Sequence, residues 1–230
     1  MLTLALDTTA KTAAVALYDG RLLCDFSVNN TKTHSENLIY MINSALECIG
    51  KKPSDIERIA ISAGPGSFTG VRIGVAAVKG LAFGKNIPIA PVSTLEALAE
   101  NVRDTDHLIC AAMDARRDQT YYAVFVAENG KIRRLCEDRA DSVGAANDAV
   151  AAFCEKTGKR SVIFVGDGGE LCHGAFCKSG ITGILCAEHN RYQSGAGVAA
   201  AAERYFAEGG TVTAENLVCT YLRKPQAELG

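Results

Sequence analysis

Four glycines fall within eleven positions in the segment Gly64-Pro65-Gly66-Ser67-Phe68-Thr69-Gly70-Val71-Arg72-Ile73-Gly74. The segment follows a short apolar strand, Arg58 to Ser62, and opens a helical stretch of small residues. Glycines this dense mark backbone that packs closely or turns through positive φ, since both are cheapest without a Cβ. Pro65 fixes its own φ and favours one defined turn. Thr69 is the expected cap of the following helix. A strand-to-helix turn of this kind exposes amides that can hold an anion, but it can equally be a tight turn that binds nothing. The spacing matches neither G-x-x-x-x-G-K-[ST] nor a clean G-x-G-x-x-G, so neither phosphate-binding mechanism carries over and both readings stay open.

The strand and helix signals on either side of this run set the domain organisation. Leu2 to Asp7 reads as a buried strand that ends in a carboxylate. Thr12 to Tyr18 and Arg21 to Val28 read as a hairpin around Asp19-Gly20. Thr33-His34-Ser35-Glu36 is a capping box that opens a helix ending near Gly50, and Ser93-Thr94-Leu95-Glu96 is a second one. Residues 1–103 therefore read β-β-β-α-β-α-β-α, a mixed sheet flanked by helices. The polar stretch Asn101 to His107 is the expected boundary, which gives lobes 1–103 and 104–230. Beyond it, strands are expected at Leu108 to Asp114, Gln119 to Val126, Lys131 to Cys136 and Ser161 to Val165. Helices are expected near Val143 to Lys156 and Ala196 to Ala207. Met113-Asp114 repeats the strand-Asp theme of Leu6-Asp7, so the second lobe echoes the first.

Charge excludes some functions. With 24 basic and 26 acidic residues the net charge is −2, too little positive field for unaided nucleic-acid binding. No apolar run suits a membrane span, and Met1-Leu2-Thr3-Leu4 reads as a strand rather than a leader, so a cytoplasmic protein is expected. Nine scattered cysteines without a C-x-x-C are expected to be reduced thiols. Cys172, His173, Cys177, Cys186 and His189 lie close in sequence, but their spacing fits no zinc-binding pattern.

Two helices are apolar on more than one side. Leu38-Ile39-Tyr40-Met41-Ile42 covers every direction of the first, while Arg72 and Lys79 form the only polar edge of the second. Such helices are either sandwiched inside the chain or form an interface. The interface reading assigns Leu38, Met41, Ile42, Ala45, Gly74, Val78 and Leu81 to a partner surface.

LALDTT at the start, HSENL, SAGPGSFTGVRIG, PVSTLEALA, MDARRDQTYYAVF and YLRKP near the end together resemble the TsaB (YeaZ) family. The resemblance runs over nearly the whole chain and is densest in residues 1–125. It implies an α/β actin-like ATPase (ASKHA) fold of two lobes, each a mixed β-sheet flanked by helices. It also implies a subunit of the machinery that makes N6-threonylcarbamoyladenosine in tRNA, homologous to the catalytic subunit TsaD. The implied partners are a TsaD homologue, a TsaE homologue, tRNA reached through the complex, and a second copy of the chain when it is alone; no membrane partner is implied.

In TsaD-like proteins the third helix opens with two metal-binding histidines four residues apart, on one helical face. Aligned on Pro91, those positions hold Thr94 and Leu98 here, and neither is a suitable ligand. The resemblance thus implies no catalytic residue and no metal site in this chain. Its actin-like relatives hold nucleotide between two strand-Asp turns. Asp7, Thr8 and Thr9, Asp114, and the Gly166 and Gly168 turn are the matching candidates. No tightly bound cofactor is expected, with ATP or ADP possible at the complex. The alternative is a nucleotide-binding kinase or ATPase that acts alone through Asp7 or Asp114.

Overall fold

The computed structural model describes residues 1–29 and 34–223. Thr33, the expected cap of the first helix, and Lys224-Pro225 lie outside the described residues.

Strands alternating large and small apolar residues build the first sheet. β1 (Thr3–Asp7), β2 (Ala13–Tyr18), β3 (Leu22–Val28), β4 (Arg58–Gly64) and β5 (Ile89–Ser93) take the order β3-β2-β1-β4-β5. β1 runs antiparallel to β2, with Leu4 opposite Leu17 and Leu6 opposite Val15. It runs parallel to β4, with Leu4 beside Ile59 and Leu6 beside Ile61. Successive side chains point to opposite faces, so each Leu-Ala-Leu, Val-Ala-Leu or Ile-Ala-Ile triplet sends bulk one way and a methyl the other. The bulky residues pack with α1 (His34–Cys48) and α2 (Phe68–Ala82) around Leu38, Met41, Ile42, Val71 and Val78. The alanines, Ala5, Ala16, Ala60 and Ala90, form a shallow face under α7 (Gly195–Glu208). That helix presents Val198, Ala199, Ala201 and Ala202, so small residues meet small residues and the backbones come close. A Cβ on Gly195 would lie 2.4 Å from the Ala16 nitrogen.

The second sheet repeats the path. β6 (Leu108–Arg116), β7 (Gln119–Glu128), β8 (Lys131–Arg134), β10 (Ser161–Val165) and β11 (Thr182–Leu185) take the order β11-β10-β6-β7-β8, with β9 (Arg139–Ser142) also on β7. The central strand again pairs antiparallel with its successor and parallel with the later strand. α4 (Val143–Thr157) and α5 (Gly169–Ala175) cover one face around Tyr122, Val124, Val150 and Phe164. A single turn, α6 (Glu188–Arg191), precedes α7. Two units with one topology, each a mixed sheet flanked by helices, are the actin-like (ASKHA) fold expected from the resemblance. Among the described residues no helix is long and apolar enough to cross a membrane.

The division between units differs from the expected 103/104 boundary. The first unit is Met1–Ala97 with Gln193–Tyr221, and the second is Leu98–Tyr192 with the chain from Leu222. The reason is the alanine face: without α7 one side of the first sheet would be bare, so the chain returns to cover it. The expected interface residues lie on the opposite, bulky face of the sheet. Leu38, Met41, Ile42, Ala45 and Val78 are at most 1 % exposed and face the sheet, so they are core rather than surface. Gly74 is buried and Leu81 half-buried against the same core. α1 does keep an apolar outer side, in Ile39 at 50 % and Tyr40 at 68 % exposed.

The glycine run owes its composition to close approach. α2 starts at Phe68, because Ser67, not the expected Thr69, is its cap; the Ser67 hydroxyl accepts from the Gly70 amide at 3.3 Å. A Cβ on Gly70 would sit 2.0 Å from the Thr8 carbonyl oxygen, and one on Gly74 2.5 Å from Thr8 Oγ1. Gly80, on the same helix, has open space around it. Alanine is favoured over glycine in a helix by about 1 kcal/mol, so Gly80→Ala should stabilise the protein by about that much. Gly70→Ala should destabilise it by about 2 kcal/mol or more, because backbone must move to admit the methyl. Urea unfolding of the two variants checks both signs, and two stabilised variants would contradict the packing described.

Candidate functional site

The turn that leaves β1 is held from three directions within the first unit. Asp7 Oδ1 accepts from the Thr9 amide at 2.8 Å and from the Thr9 hydroxyl at 2.7 Å. Thr8 Oγ1 donates to the Gly70 carbonyl at 2.8 Å, and the Ser67 amide donates to the Thr9 carbonyl at 2.7 Å. His34 Nε2 lies 2.6 Å from the Ala10 carbonyl, which ties the start of α1 to the same turn. Burial pushes the Asp7 carboxyl above its ordinary range, while the Ser62 hydroxyl, the Thr9 donors and His34 pull it back. On the far side of the glycine run, the Thr220 amide donates to the Ala63 carbonyl at 2.7 Å. Tyr221 then stacks on Phe68 at 4.9 Å, and the Arg72 guanidinium lies over the Phe68 ring at 3.7 Å.

The turn that leaves β6 has the same chemistry. Asp114 Oδ1 accepts from the amide two residues on, that of Arg116, at 2.7 Å, as Asp7 does from Thr9. The loop after β10 is brought against it. Gly166 donates its amide to the Arg191 carbonyl at 2.7 Å and Gly168 donates to the Ala112 carbonyl at 3.1 Å. A Cβ on Gly166 would meet the Ala112 oxygen at 2.0 Å, and one on Gly168 would meet the Met113 carbonyl carbon at 2.5 Å. The structure thus brings Asp7, Thr8 and Thr9 together in one unit and Asp114, Gly166 and Gly168 together in the other. The space beside these glycines, and the Gly166 and Gly168 amides, are taken by the chain's own carbonyls. A nucleotide phosphate would need both, so these glycines do not fit a phosphate cradle of the P-loop kind.

Asp167 lies between Gly166 and Gly168 in the Gly166-Asp167-Gly168-Gly169 turn that follows β10. Burial, and then the neighbouring Asp114 charge, push its carboxyl up to about 6. A carboxyl whose pKa is higher folded than unfolded binds its proton more tightly in the native state. Stability therefore falls as pH rises from about 4 through about 6. Asp167→Asn should remove this dependence. The variant should gain about 1–2 kcal/mol on the wild type at pH 8, and the gain should vanish near pH 4. Chemical unfolding at several pH values reads the difference directly.

Helix α3 (Thr94–Glu100) is capped as expected, with Ser93 Oγ accepting from the Glu96 amide at 3.4 Å. Thr94 is fully buried, its hydroxyl without a hydrogen-bond partner among the described residues, and Leu98 is 1 % exposed. Cys172 and Cys186 are buried and Cys177 exposed. Among the described residues no three His, Cys, Asp or Glu side chains converge as metal ligands would.

Three comparisons place this arrangement among known proteins. A family model described as TsaD, tRNA N6-adenosine threonylcarbamoyltransferase, matches residues 27–229. The tRNA threonylcarbamoyladenosine biosynthesis protein TsaB of Bacillus subtilis is 36 % identical over 169 residues, 72 % of this chain and 71 % of that protein. Its namesake in Haemophilus influenzae is 35 % identical over 178 residues, 66 % of this chain and 75 % of that one. YeaZ from Pseudomonas aeruginosa superposes with a TM-score of 0.78 at 27 % identity, covering 96 % of this chain and 99 % of that one. Related in sequence to TsaD and in sequence and fold to TsaB and YeaZ, the chain belongs to the TsaB (YeaZ) family of tRNA threonylcarbamoyladenosine biosynthesis proteins.

Proposed function

We propose that this chain is the non-catalytic subunit of a cytoplasmic complex that forms N6-threonylcarbamoyladenosine in tRNA. In it the chain binds and supports a catalytic TsaD homologue, together with a TsaE-type ATPase. The observation that carries the reading is the pair Thr94 and Leu98. The resemblance implies metal-binding histidines there in TsaD, and here a buried hydroxyl and a buried aliphatic side chain stand in those places. A leucine has no lone pair to offer a metal, so the transfer step falls to the partner. ATP or ADP acts at the assembled complex rather than on a tight site in this chain. The use of the local amides and glycine clearances by the chain's own backbone supports that assignment.

The docking surface is the outer side of α1, carrying Ile39 and Tyr40. A folded unit that leaves an isoleucine and a tyrosine adjacent and half or more exposed gains apolar burial when a partner covers them. The TsaD homologue is the occupant in the complex, and a second copy of this chain takes the same face when it is alone.

Reconstitution with the TsaD and TsaE homologues and tRNA tests the proposal. Modification should depend on this chain, and unchanged modification in its absence would refute the role. Two neighbouring substitutions separate surface from core. Tyr40→Asp should leave folding intact and weaken association with the TsaD homologue by about 3 kcal/mol, roughly a hundredfold in Kd. Met41→Asp should abolish folding, because its side chain is 1 % exposed in the core. Light scattering and circular dichroism distinguish the two outcomes.

A further inference from the structure

The turn between β6 and β7 carries two arginines on a backbone that glycine or asparagine would adopt at lower cost. Arg116, Arg117 and Asp118 have φ of 66°, 55° and 57°, three successive side-chain-bearing residues in the left-handed region. Each such residue is strained, because its Cβ crowds the following carbonyl oxygen. The hairpin between β7 and β8 meets the same need with Asn129 and Gly130, the residues that tolerate it best. Folding alone therefore gives no reason for arginine at 116 and 117.

The turn holds its charges outward. Asp114 fixes Arg116 twice, accepting its amide at 2.7 Å and pairing with its guanidinium at 3.2 Å, while that side chain stays 72 % exposed. Arg117 is exposed and forms no hydrogen bond or ion pair among the described residues. Arg223 Nη1 donates to the Ala115 carbonyl at 3.0 Å, which brings a third guanidinium to the same turn from a distant part of the chain. The carboxylates beside them are Asp114, already paired with Arg116, Asp118 within the turn, and Asp167 behind Asp114. Guanidinium forks match phosphate oxygens, and a chain of net charge −2 meets a polyanion only through such a local cluster.

We propose that the Arg116-Arg117 turn, with Arg223, is a contact for the phosphodiester backbone of tRNA. The proposal rests on the chain's acting in a tRNA-modifying complex, and it adds that this chain itself touches the RNA. The test is binding of labelled tRNA to the reconstituted complex across a salt series, with wild-type chain and with the double variant Arg116→Asn, Arg117→Asn. The variant should bind about three- to thirtyfold more weakly near physiological salt. The slope of log Kd against log salt should drop by about one to two. Arg117→Lys should keep most of the slope. Asparagine relieves the left-handed strain, so the double variant should melt at or above the wild-type temperature, a result that a structural role for the arginines would reverse.

An unchanged salt slope, or a lowered melting temperature with unchanged tRNA affinity, overturns the proposal. So does loss of the TsaD homologue from the complex while the tRNA slope is kept, which would make the turn a protein contact. If modification proceeds equally well without this chain, the complex-subunit reading fails. If the chain is required and the variant binds tRNA as the wild type does, only the RNA contact fails.

Discussion

The first unit depends on how closely the turn after β1 lies against α2. Thr8 reaches the helix at Gly70 with a 2.8 Å hydrogen bond, and nothing larger than hydrogen fits on the helix where they meet. This contact sets the distance between β1 and α2. It also brings the Ser67 amide to the Thr9 carbonyl and leaves Asp7 buried among its own turn's donors. A larger residue at position 70 or 74 would push α2 off the sheet and open the core beneath Val71 and Val78. The glycine run is thus the seat of a packed joint, with the Ser67 amide bonded to the Thr9 carbonyl and the Gly70 amide to the Ser67 hydroxyl.

The second unit reaches a similar arrangement from different residues. Asp114 holds its turn as Asp7 does, and Gly166 and Gly168 play the close-contact part that Gly70 and Gly74 play in the first unit. The repetition is one of backbone path and strand-end carboxylates; the side chains around them have diverged. The first turn ends in two threonines that bond inward, whereas the second ends in two arginines that point out. One topology therefore serves in one unit as internal bracing and in the other as a carrier of exposed charge.

Most of the fold was legible from residues whose local rules and tertiary roles agree. Ser93 to Glu96 capped a helix as its pattern demands, and Asn129-Gly130 turned a hairpin. The expected strands at Leu108, Gln119 and Ser161 form close to their expected bounds. Elements this short left no periodic trace: β9 is four residues, Arg-Ala-Asp-Ser, and β11 is four more, Thr-Gly-Ile-Leu. The division between units was hidden for another reason. Ala5, Ala16 and Ala60 read as ordinary strand residues, and only their shared face shows that a small-residue helix from the other end of the chain must cover them. The candidate site was half legible. Strand-end aspartates and glycines were found, but an all-apolar helix gives no direction. Met41 and Tyr40 were indistinguishable until the sheet chose which of them to bury.

The alanine face under α7 also governs the order in which the protein can be completed during synthesis. The strands of the first unit are made early, but the helix that closes one side of their sheet leaves the ribosome only after the whole middle segment, Leu98–Tyr192. That middle segment is continuous and holds nearly all of its own sheet and core, so it can finish folding while the earlier unit still waits for its cover. The choice of alanine suits that interval, because a nascent sheet with methyl groups on its open side presents far less adhesive surface than one lined with leucine and isoleucine.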